Sequence, residues 1–79
     1  MTKEQIVTAV SQVLGRPVRW APRDKCLHEC RDRILAVYET PAKEQLAMLR
    51  KLRSFRQEMD EAAGGIVVVM FFAGKMPPG

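Results

Sequence analysis

The chain has 79 residues and a formal net charge of +4, and 47% of its residues are apolar. That apolar share excludes a disordered chain, and the length suits one small domain, residues 1–79, rather than several. A chain this short buries only about 60% of the surface it exposes when unfolded, so its core is thin and a partner or second subunit would help stabilise it.

The expected class is α+β, mostly helical: three helices at about 3–14, 24–39 and 41–63, a C-terminal strand at 66–72 and a short strand at 17–20. Thr2 is placed to cap the first helix, with Gln5 three residues on to complete a capping box and Met1 and Ile6 in the staple positions. Ile6, Val7, Ala9, Val10, Val13 and Leu14 then share one helical face. Gly15 suits the position after a helix end, and Pro17 prevents simple continuation. Residues 16–23, RPVRWAPR, form an extended connector in which Pro17–Trp20 is the strand candidate and Trp20 is large enough to anchor one side of the core.

Asp24 caps the second predicted helix. At about 100° per residue its apolar arc contains Cys26, Leu27, Cys30, Ile34, Val37 and Tyr38, with Leu35 at the edge. Thr40-Pro41 reads as N-cap and first residue of the third helix. Its stripe of Leu46, Met48, Leu49, Leu52, Phe55 and Met59 is broad enough to face more than one neighbour, and Gly64-Gly65 stops it.

Ile66 to Phe72 is an unbroken run of seven apolar residues. Its valines and phenylalanines favour a strand, and the lack of alternation predicts cover on both faces. A lone strand leaves its backbone groups unpaired, and Pro17–Trp20 is the other strand candidate. The run is therefore expected to pair with that piece, with another chain, or with both. The alternative is an extended segment lying across the helices. In the pairing case Ile66, Val68, Met70 and Phe72 carry self-association into a homodimer.

CLHEC, residues 26–30, has metal-ligand composition but not metal-ligand geometry. On a helix Cys26 and Cys30 share a face, while His28 points to roughly the opposite side. A structural zinc site wants four protein ligands, and the chain has no further Cys or His. The cysteines read as reduced, buried, small apolar residues, and His28 as a rim side chain. No metal or cofactor is expected. The chain carries no phosphate loop, dinucleotide fingerprint or nucleophile elbow, and Glu29–Arg33 fits a solvated i,i+4 pair, so an enzyme is not expected.

The basic residues carry the functional expectation. Arg50, Arg53 and Arg56 follow one another at intervals of three and form a ridge on the third helix, beside Leu49 and Leu52. Arg31 falls at the rim of the second helix, and Arg19 lies beside Trp20 in the connector. Arginine at the edge of an apolar face is a common composition for a binding surface. Taken singly, each of these side chains reads better as a solvated, snorkelling group; taken as a set, they point to an electropositive surface.

A membrane partner is not expected, because the apolar stripe of the amphipathic third helix is needed for the core. The leading expectation is a non-catalytic binding protein that inhibits or regulates a larger protein or nucleoprotein with an acidic surface. Small inhibitors made by phages and mobile elements, anti-CRISPR proteins among them, share this size and lack of catalytic groups. The alternative is a small nucleic-acid-binding regulator, although helix-turn-helix spacing and an RNA-binding aromatic motif are missing. Two cysteines and no secretory signal at the start lead to a cytoplasmic expectation.

Overall fold

The computed structural model describes residues 1–21 and 33–78. These form α1 (Lys3–Leu14), β1 (Val18–Trp20), β2 (Ile34–Val37), α2 (Ala42–Lys51), a 3-10 turn (Arg53–Phe55), α3 (Arg56–Ala63) and β3 (Val68–Phe71). The sheet order is β1-β2-β3, with β1 antiparallel and β3 parallel to the central strand. The α+β class is as the sequence implies, with about 49% of the described residues helical.

The capping box of α1 forms: the Gln5 N–H donates to Thr2 Oγ1 at 3.1 Å, and the Thr2 N–H to Gln5 Oε1 at 2.8 Å. Ile6, Val10 and Leu14 are buried, whereas Val13 is exposed. At about 100° per residue, Val13 lies roughly 60° from the centre of the arc those three define, at its flank.

Gly15 and Gly64 end α1 and α3 with φ of 66° and 74°. Both occupy the left-handed region that costs a side chain most. A Cβ on Gly64 would meet nothing within 4 Å, so G64A isolates the backbone cost. This variant is expected to lose about 1–2 kcal/mol. Urea unfolding checks it, through a lower midpoint at unchanged slope.

The largest departure from expectation lies at 34–38. Residues 24–32 of the predicted second helix, including Asp24, Cys26, Leu27, His28, Cys30 and Arg31, fall outside the described residues. Its end is β2, a strand. Ile34, Leu35, Ala36, Val37 and Tyr38 are all buried. A helix turns five consecutive residues right round its axis and cannot bury them all against one layer. A central strand with neighbours on both sides can.

The predicted third helix is two helices. Leu52 (φ −84°, ψ −6°) and Phe55 (φ −100°, ψ −1°) bound the 3-10 turn between α2 and α3. Met48, Leu52 and Met59 are buried and Phe55 is half-buried, but Leu46 and Leu49 are exposed. Thr40 is not the N-cap, which is Pro41 without a side-chain bond. Thr40 is fully buried, its hydroxyl donating to the Tyr38 carbonyl at 3.1 Å and its N–H to the Phe72 carbonyl at 2.9 Å. The residue is held by the sheet, so the helix opens one position later.

The C-terminal run pairs with β2, not with Pro17–Trp20. The register is Ile34↔Val68 to Val37↔Phe71, while Val18↔Val37 to Trp20↔Leu35 fills the other edge of β2. Nor is the run covered on both faces, since burial alternates along β3. Val67 is buried and Val69 and Phe71 pack against the core, while Ile66, Val68, Met70 and Phe72 are exposed. The strand covered on both sides is β2, and β3 is an edge strand.

The core joins Ile6, Val10 and Leu14 of α1, Met48 of α2 and Met59 of α3 to Val18, Leu35, Val37 and Val67. The register puts Val18, Leu35 and Val37 on one face of the sheet. All three helices therefore cover that face. Arg19, Ile34, Ala36, Tyr38, Val68, Met70 and Phe72 belong to the opposite one.

Candidate partner-binding surface

Leu46, Leu49, Arg50, Leu52, Arg53 and Arg56 line one groove of about 380 Å³ on α2 and the turn that follows. Helical spacing explains the gathering. Leu46, Leu49, Arg50 and Arg53 stand at i, i+3, i+4 and i+7 and share a face. The 3-10 turn, with three residues per turn, then keeps Arg53 and Arg56 in line. Leu52 forms the floor, while Leu46 is 59% and Leu49 43% exposed. Two leucines that the core does not use thus stand among three guanidinium groups. The breadth of the apolar stripe was the sequence signal for them, because a stripe wider than its core seat leaves residues over.

The three arginines have different duties. Arg56 Nη1 donates to the Val67 carbonyl at 2.7 Å and to Asp60 Oδ1 at 3.2 Å. The same Asp60 oxygen accepts the Val67 N–H at 3.0 Å. Arg56 and Asp60 together close both backbone groups of Val67 just before β3 begins, so Arg56 is part of the scaffold. No bond of this kind holds Arg50 or Arg53 among the described residues, which leaves their donors to solvent or a partner. D60A is expected to cost about 1–3 kcal/mol, the usual penalty when a buried amide loses its acceptor. Thermal unfolding of the variant beside the parent chain checks this.

The other sequence candidates lie elsewhere. Trp20 is on the helix side of the sheet: its Nε1–H donates to the Lys3 carbonyl at 3.0 Å, and Lys3 Nζ sits 4.7 Å from the ring centroid. It fastens α1 to β1 and does not join the groove. Arg19 lies on the opposite sheet face, its guanidinium 5.6 Å from the centroid of the Tyr38 ring. Tyr38 in turn stacks on Phe72, centroids 5.0 Å apart. Arg16, from the same connector, pairs with Glu44 at 3.2 Å. Arg31 lies outside the described residues, as does the whole CLHEC segment.

The sheet face away from the helices carries a second groove, of about 350 Å³, bounded by Arg19, Ile34, Tyr38, Met70, Phe72 and Pro77. Of the residues expected to act in self-association, Val68, Met70 and Phe72 lie on this side, while Ile66 is exposed ahead of the strand. Among the described residues no three His, Cys, Asp or Glu side chains cluster to hold a metal ion, and no helix is long and apolar enough to cross a membrane. Comparison with protein-family models, curated proteins and solved structures gives no match for this chain.

Proposed function

We propose that this chain is a non-catalytic binding protein that engages an acidic surface of a larger protein or nucleoprotein through the α2 groove and thereby inhibits or regulates it. The observation that carries this reading is the placement of Arg50 and Arg53, without bonds of their own among the described residues, beside exposed Leu46 and Leu49. Arginine is enriched at protein interfaces, and the centre of an interface patch is more apolar than its rim. Single-stranded nucleic acid would want aromatic platforms beside the cations, and the groove has none. Size and a net charge of +4 accord with the small cytoplasmic inhibitors of phages and mobile elements, anti-CRISPR proteins among them.

The test is affinity capture from extracts of the source cell, with and without nuclease, followed by titration of the captured species. The reading predicts a protein retained after nuclease treatment and released by salt. Sub-micromolar binding to bare duplex or single-stranded DNA that weakens steeply with salt would replace it with a nucleic-acid-binding regulator.

A further inference from the structure

The Val68 N–H donates to the Arg33 carbonyl and the Phe72 N–H to the Val37 carbonyl, each at 2.8 Å. The even-numbered residues of β3 therefore direct their backbone groups at β2. By alternation the odd-numbered ones direct theirs away from it. At Val67 those outward groups are already closed by Asp60 and Arg56. After Phe72 the chain turns, with the Gly74 carbonyl accepting the Glu39 N–H at 2.9 Å. Within β3 the outward backbone groups are thus those of Val69 and Phe71. No strand among the described residues pairs with them.

Natural edge strands are usually blunted by a charge, a proline or a bulge. β1 has Pro17 and Arg19 at or beside it, while residues 66–72, IVVVMFF, contain neither charge nor proline. We infer that β3 pairs antiparallel with β3 of a second copy of this chain about a two-fold axis at Met70, giving a continuous six-stranded sheet. The occupant follows from the symmetry of the free groups. Val69 and Phe71 stand one residue either side of Met70, so each would exchange both its hydrogen bonds with the other's counterpart. The closed Val67 stops the ladder from extending further. On the sheet face away from the helices Val68 would face the partner's Phe72, and the two Met70 side chains would meet. No charge on β3 opposes its own image. The pairing uses a surface distinct from the Arg50–Arg53 groove, so either inference can fail alone.

Light scattering on the full chain from micromolar to submillimolar concentration tests it. The expected result is a mass rising from 9.0 kDa to twice that value and no further. A mass of 9.0 kDa throughout, or growth beyond the dimer, overturns the inference. M70K sets two lysines against each other at the axis, and its parent side chain is already 43% exposed. It should weaken association tenfold or more with an unchanged circular dichroism spectrum. An undiminished dimer in M70K would place the contact elsewhere. Hydrogen exchange on the parent chain gives an answer even if that variant fails to fold. The Val69 and Phe71 amides should exchange at least tenfold more slowly in the concentrated sample than in the dilute one, and equal rates would exclude β3 as the interface.

Discussion

L35A is expected to lose about 2–5 kcal/mol of stability, the cost of truncating a fully buried leucine. Leu35 is 0% exposed and faces the helices from the middle of the central strand. Removing its isopropyl group opens a cavity in the core cluster that Leu35 shares with Ile6, Val10, Met48 and Met59. A chain of this length holds about 4–12 kcal/mol in all, at 0.05–0.15 per residue, so the change removes a large fraction of the total and lowers the urea midpoint sharply. The placement matters to the fold itself. Had residues 24–39 been helical to their end, Leu35 would lie at the rim of the apolar arc and its truncation would cost little. I66A makes the control. Ile66 is 74% exposed, and a change there should stay within about 0.5 kcal/mol. Urea unfolding of the two variants beside the parent separates the cases.

The double variant R50E/R53E is expected to lose the partner and keep the fold. Charged anchors in an interface commonly contribute about 2 kcal/mol or more each, so a single reversal weakens binding by about 30-fold. Two reversals should remove it from the measurable range. Both side chains are exposed and neither has a bond among the described residues to lose, so the melting transition should move little. Arg56 is deliberately left alone. Its ties to Val67 and Asp60 mean that reversing it would disturb the entry to β3 and confuse lost binding with lost structure. Titration of the captured partner against parent and variant gives the comparison, and an unchanged affinity would return the groove to ordinary solvated surface.

Local signals in this sequence act within a few residues and were legible for that reason. The Thr2–Gln5 box, Gly15, Gly64 and the spacing of Arg50, Arg53 and Arg56 each depend on neighbours three or four positions away. What was hidden depends on partners far along the chain. ILAVY, residues 34–38, reads as part of a helical arc if Ile34, Val37 and Tyr38 are weighed alone. Only β1 on one side and β3 on the other make a strand of it. Once that strand is overlooked, IVVVMFF is left with only the short Pro17–Trp20 piece as an internal partner and takes on the role of the buried strand that β2 in fact fills. The α2 groove was half legible. The arginine ridge shows in the spacing, but its division into a structural Arg56 and an available Arg50 and Arg53 depends on Val67, eleven residues beyond Arg56.

Hydrogen exchange of the chain with and without its captured partner tests the central claim most directly, because it needs no substitution. The account predicts that binding slows exchange across residues 46–56, where Leu46, Leu49, Arg50 and Arg53 stand. Unchanged exchange over 46–56, with new protection confined to another part of the chain, would contradict it.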